Sequence, residues 1–171
     1  MDLAALSHHI EGKVPDLDNW DPPFCGDIDM HIQSDGRWYF QGTKIKRIEM
    51  VKLFAAVMIN EGGDYFLKTP VEKVRINVDD APFVIVEYFE KQTDQGVALC
   101  FVDNLARIFV LSPAHPLILK QHKGQNLPYL QLHHGLSAKL NRNVYYQLAQ
   151  QATEVNGRFI IKSGEQPFQL G

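Results

Sequence analysis

The clearest alternation of polar and apolar positions runs through CGDIDMHIQSDGRWYFQGTKIKR. Here Asp27, Asp29 and His31 alternate with Ile28, Met30 and Ile32. Successive strand side chains point to opposite faces, so this pattern predicts a half-buried strand. Asp35-Gly36 sits at its centre and predicts a two-residue hairpin turn. Such a turn sets the register. Ile32 then faces Tyr39, Met30 faces Gln41 and Ile28 faces Thr43 on the core side. Gln33 faces Trp38, His31 faces Phe40, Asp29 faces Gly42 and Asp27 faces Lys44 on the polar side.

Spacing turns helical in KIKRIEMVKLFAAVMINEGG. Met50, Leu53, Phe54, Val57 and Met58 make one apolar stripe there, and Gly62-Gly63 end it. Strand character returns with Val74, Ile76 and Val78 alternating with Lys73, Arg75 and Asn77. A turn at Asp79-Asp80-Ala81-Pro82 leads to strands over residues 83–89, 97–102, 107–111, 117–120 and 129–133. A second helix is predicted over residues 138–152 with Ser137 as its N-cap, then a strand over 158–162. Before the hairpin, residues 2–10 predict a short helix, and VPDLDNWDPPF a proline-broken loop anchored by Trp20 and Phe24. Tight turns cannot make parallel crossovers, so the fold class expected is α+β with antiparallel sheets. Apolar-x-Arg-x5-Leu occurs twice, at Ile45-Lys46-Arg47 to Leu53 and at Leu140-Asn141-Arg142 to Leu148, a faint internal echo.

The 171 residues suit one domain or two small halves, split here at 1–78 and 79–171. A net charge of -3 argues against nucleic acid as a partner. Cys25 and Cys100 are too few for a disulfide framework, and two reduced thiols in a cytoplasmic protein are expected. MDLAALSHHIEGK has an acid at Asp2 and no basic stretch before a long apolar run, so it is not read as a signal peptide. No apolar run approaches the ~20 residues of a membrane span.

Candidate chemistry is sparse. Same-face residues lie roughly 6.6 Å apart along a strand, so Asp27, Asp29 and His31 are too spread to share one ion. A polar strand face is the favoured reading, and no metal is expected. Adjacent His133 and His134 would point to opposite sides of a strand. No serine stands in a nucleophile elbow, no base is placed beside Cys25, and no phosphate loop or dinucleotide fingerprint occurs. No catalytic residue or cofactor is expected. One feature runs against the bland reading. Helix starts prefer acids, yet Lys46 and Arg47 open one helix and Lys139 and Arg142 the other. Free backbone N–H groups beside added positive charge suit a bound anion.

CGDIDMHIQSDGRWYFQGTKIKR, LKTPVEKVRINVDDAPFVIV, HPL, PYLQLHHGLSAKLNRNVYYQL and KSGEQPFQLG together resemble bacterial domain-of-unknown-function family 1285, over residues 15–171. Lys44, where proline is commoner, and the SGEQPF ending depart from its pattern. The resemblance implies a duplicated core of two similar halves packed together. It implies a C-terminal half like pleckstrin-homology folds, a ligand groove between the halves and a role in signal transduction. It carries no catalytic residues. The expected ligand-binding set is Arg47, Arg142, Trp38, Thr69, Arg75 and Tyr129, with the two arginines on the anion and Trp38 or Tyr129 stacked on an attached ring. The expected function is a non-enzymatic sensor or adaptor for a small anionic, nucleotide-like ligand. A protein-interaction module is the alternative, and a hydrolase or transferase stands behind both.

Overall fold

The computed structural model describes residues 15–171, so the helix expected over residues 2–10, with His8 and His9, lies outside the described residues. The chain divides into two compact units, residues 1–80 with 134–136 and residues 81–133 with 137–171.

The first unit holds β1 (Phe24–Ile32), β2 (Trp38–Phe40), β3 (Thr43–Lys44), α1 (Ile48–Ala55), β4 (Met58–Glu61), β5 (Asp64–Lys68) and β6 (Lys73–Val78). They form one sheet in the order β3-β2-β1-β6-β5-β4. The second unit holds β7 (Phe83–Thr93), β8 (Gly96–Asp103), β9 (Ile108–Val110), β10 (Leu117–His122), β11 (Gln125–Gln131) and β12 (Ser137–Leu140), in the order β10-β11-β12-β7-β8-β9. Read from the β9 edge, that is third, second, first, sixth, fifth and fourth strand, as in the first unit. The core is therefore duplicated. After β12 come α2 (Arg142–Gln151) and a small sheet of β13 (Thr153–Val155), β14 (Arg158–Ser163) and β15 (Gln166–Gln169).

Both large sheets are mixed, which corrects the expectation of antiparallel sheets. Each consists of two antiparallel meanders joined by one parallel pair, β1 with β6 and β12 with β7. Tight turns govern only consecutive strands. The first and sixth strands of each unit are separated by four strands, ample length for a parallel crossover. The Arg-x5-Leu echo does not mark the repeat. α1 lies between the third and fourth strands of its unit, whereas α2 follows the sixth.

The hairpin register slips by one residue. Gln33 N donates to Arg37 O and Gly36 N to Gln33 O, both at 2.9 Å, so the loop is residues 34–36. Gly36 supplies the positive φ of 88° that a three-residue loop requires. Met30 then faces Phe40, His31 faces Tyr39 and Ile32 faces Trp38. Met30 and Ile32 are fully buried, and Trp38 takes the core place expected for Tyr39, which is half-buried like Ile28.

α1 ends at Ala55 rather than running to the glycines. Met58–Glu61 instead pairs with β5, closing a hairpin on Gly62-Gly63 at φ 62° and 94°. A tight two-residue hairpin turn needs positive φ at both positions, which two glycines supply without strain. The second helix starts later than expected. Ser137–Leu140 is a strand between β11 and β7, and Asn141, not Ser137, caps α2, its Oδ1 accepting from Val144 N at 2.8 Å. β13 was not anticipated although Asn156-Gly157, at φ 53° and 77°, is a strong hairpin signal. Among the described residues no helix is long and apolar enough to cross a membrane.

Three outcomes test this architecture. Ile32→Asp puts an unpaired charge in the core and should destabilise by about 3 kcal/mol or more; an unchanged denaturant midpoint would contradict the burial. Asn141→Ala removes a cap and should cost about 1 kcal/mol in the same measurement. Cys25 is an exposed and Cys100 a buried free thiol. A thiol reagent should therefore titrate one thiol in the native protein and both after unfolding.

Candidate functional site

The chain leaves β3 at Lys44, and Ile45 N donates to Trp38 O at 2.8 Å, tying the approach to α1 onto the hairpin. Arg47 is the N-cap, extended at φ -80° and ψ 109°, and no side chain caps this end. Its carbonyl accepts from Met50 N at 3.1 Å and Val51 N at 3.3 Å. Val51, Phe54 and Ala55 are buried, so the apolar stripe of α1 fixes the orientation of its start. The first backbone N–H groups of a helix lack intrahelical acceptors and carry the positive end of its dipole.

A cleft of about 250 Å³ opens here, lined by Phe40, Thr43, Lys44, Ile45, Lys46, Arg47 and Met50. Phe40, Ile45 and Met50 are half-buried and supply apolar surface, while Lys44, Lys46 and Arg47 are exposed. None of these three bases enters an ion pair with another described residue. Three cations without an ion pair among the described residues, set beside a helix start, favour a bound anion. Sequence reasoning reached Arg47 but passed over the apolar lining. The signal was the run Lys44-Ile45-Lys46-Arg47, which threads a hydrophobe through bases.

The other expected residues are differently placed. Arg142 is exposed at the first position of α2, a helix already closed by the Asn141 cap. Lys139 lies in β12, facing Tyr129 and Val84, and so does not open that helix. Trp38 is 2% exposed and Tyr129 3%, so neither offers a ring face for stacking; these two roles are corrected. The Trp38 indole N–H is buried without an acceptor among the described residues. Thr69 is fully buried, and its hydroxyl serves its own turn, accepting from Val71 N at 3.3 Å and Glu72 N at 3.1 Å.

Arg75 grips Asp27 through Nε at 2.7 Å and Nη2 at 3.2 Å, with Asp64 at 3.7 Å. Hydrogen bonding to Asp27 raises the guanidinium pKa further above its ordinary value, so this cation is already matched. The partner expected for Asp27 was Lys44. Parallel pairing instead sets Asp27 opposite Arg75, and Lys44 pairs with Tyr39. Farther along, His31 Nε2 lies 2.6 Å from Asp79 Oδ1. Asp27 and His31 of β1 are thus matched by Arg75 of β6 and by Asp79 just beyond it, and among the described residues no cluster of three or more His, Cys, Asp or Glu could hold a metal.

A larger groove of about 620 Å³ lies in the second unit between the β7–β8 turn, Ser112-Pro113 and the β14–β15 turn. Asp94 and Glu165 line it, a setting that repels anions, so the smaller basic cleft is the better candidate. Asp103, 1% exposed, accepts from Leu105 N and Arg107 N, each at 2.9 Å, and from Arg107 Nε at 2.8 Å. Arg107 Nη2 lies 2.7 Å from the same carboxylate as an ion pair without donating a hydrogen bond. This pair closes the β8–β9 turn.

Known proteins place these features in context. The model of a domain of unknown function, the DUF1285 N-terminal domain, matches residues 15–81, and that of the DUF1285 C-terminal domain matches residues 82–170. The crystal structure of a DUF1285 family protein from Silicibacter pomeroyi DSS-3 matches with a TM-score of 0.87 at 35% identity, over 99% of this chain and 94% of that one. A DUF1285 family protein from Shewanella baltica OS155 matches with a TM-score of 0.58 at 30% identity, over 72% of this chain and 92% of that one. No curated protein matches the chain. Two consecutive domain matches and a shared fold over nearly the whole length make this chain a member of the DUF1285 family.

Proposed function

We propose that this protein is a non-enzymatic sensor or adaptor that holds a small anionic, nucleotide-like ligand. The observation that carries the reading is the basic cleft at α1, where Lys44, Lys46 and Arg47 stand without ion-pair partners among the described residues, beside an uncapped helix start. Arg47 grips phosphate or carboxylate with its planar fork, the lysines add charge, and Phe40, Ile45 and Met50 give an attached apolar group a surface. The pleckstrin-homology-like form of the second unit and the role in cytoplasmic signal transduction belong to the same proposal. They are supported by the sequence resemblance, and the compartment by two free thiols.

A second reading, a protein-interaction module, is favoured by β9. This edge strand of the second unit carries Ile108 at 60% exposure and Val110 at 42%. Unpaired strand edges accept an added strand from a partner.

Calorimetry against a nucleotide panel separates the two. The expected result is binding by the wild type and at least a tenfold loss in Arg47→Ala, about 1.4 kcal/mol. Arg47→Lys should also weaken binding, because an ammonium cannot grip bidentately. Arg142→Ala should lose less, since its helix start is already capped. Equal binding by wild type and Arg47→Ala would remove the cleft from the mechanism. A wild type that binds no anion but captures a peptide, with capture lost in Ile108→Lys, would favour the second reading.

A further inference from the structure

The second unit brings two histidines together. Ser112 N donates to His115 O at 3.3 Å and His115 N to Ser112 O at 3.0 Å, closing a tight turn before β10. Gln131 N donates to Pro116 O at 2.9 Å, which ties that turn to the end of β11. His133 follows after Leu132, in the 3-10 turn His133–Gly135. The two imidazole ring centres are 4.9 Å apart. Two imidazoles bound to one tetrahedral ion, each nitrogen ~2.0 Å from the metal, hold their ring centres roughly 5 Å apart. The observed separation matches that of a chelating pair and equally that of rings packed edge to face.

The tautomer of His115 points the same way. Its Nδ1 lies 3.1 Å from Gln131 O. A carbonyl oxygen only accepts, so Nδ1 carries the hydrogen and the lone pair of the neutral ring resides on Nε2. Metal-ligating histidines are commonly oriented by such a second-nitrogen hydrogen bond to a backbone carbonyl. The Phe109 ring also packs edge to face against His115, with ring centres 5.3 Å apart. The rings of His115 and His133 meet edge to face at 74°, and His133 is exposed, so solvent ions reach the pair.

We infer that His115 and His133 form a two-imidazole site for a borderline divalent transition-metal ion such as zinc, nickel or copper, with water completing the coordination. Imidazole nitrogen suits these ions and not the oxygen-seeking magnesium and calcium. The competing account is a row of stacked rings, Phe109, His115 and His133, with no ion.

Calorimetric titration of the full chain with zinc chloride tests the site. The wild type should bind one zinc ion through it. His133→Ala, at an exposed position, and His115→Gln, which keeps a polar side chain, should each weaken that binding at least tenfold, because one imidazole cannot chelate. His134→Ala and a His8→Ala/His9→Ala double variant should leave it unchanged, and magnesium should not compete. With copper, paramagnetic resonance should show coupling to two imidazole nitrogens in the wild type and to one in His133→Ala. No zinc binding by the wild type would overturn the inference. So would wild-type binding in both His133→Ala and His115→Gln, or loss of binding in the His134 or His8/His9 variants.

Discussion

Each unit depends on one parallel strand pair. Without β1 beside β6, the first unit would be two separate three-stranded meanders, and the same holds for β7 and β12 in the second. These pairings join segments far apart in sequence, so their contacts must offset a long loop closure before they stabilise anything. Backbone hydrogen bonds extend the first pair at both ends. Lys73 N donates to Pro23 O at 3.2 Å and Asp79 N to Ile32 O at 3.0 Å. In the second, Asn141 N donates to Ile85 O at 3.0 Å, so the strand pair runs straight into the cap of α2. Burial follows the same line. Met30, Ile32, Val74 and Ile76 are covered in one sheet, and Phe83, Ile85 and Ala138 in the other.

The parallel pair also decides which charges are available. By setting β6 against β1 it matches Arg75 with Asp27 and His31 with Asp79. Exposed pairs of this kind contribute little stability, but they engage Asp27 and His31 on the polar face of β1. The Asp103–Arg107 pair acts differently. Its carboxylate is buried, so the backbone and guanidinium donors are what make that burial tolerable. With these groups engaged, Lys44, Lys46 and Arg47 stand out at the entry to α1, none of them ion-paired to another described residue. That entry is positioned by the hairpin through the Ile45 to Trp38 bond.

Repetition of the sheets without repetition of the helices explains why the two helix starts differ. α1 is inserted inside its meander pair and begins on an arginine whose end lacks a side-chain cap. α2 follows the completed sheet and begins behind Asn141. Two similar sequence patterns thus received different structural tasks, one beside a basic cleft and one closed upon itself.

Local pattern was sufficient for much of this chain. The alternation of β1 assigned Met30 and Ile32 to the core, because a strand's own period needs no partner to be read. Strands β7 to β11 and β14 were legible for the same reason, and the basic start of α1 was visible as a run of residue types. Tertiary structure decided what period cannot. One extra loop residue moved Trp38 into the core, since hairpin register depends on turn geometry. Short apolar runs fit helix and strand alike. Met58–Glu61 became a strand because β5 supplied a partner, and Ser137–Leu140 because β11 and β7 lay on either side. The pairing of Arg75 with Asp27, and the meeting of His115 with His133, arise from strands adjacent in space and distant in sequence. No local pattern encodes such neighbours, because backbone pairing joins them only once the sheet is assembled.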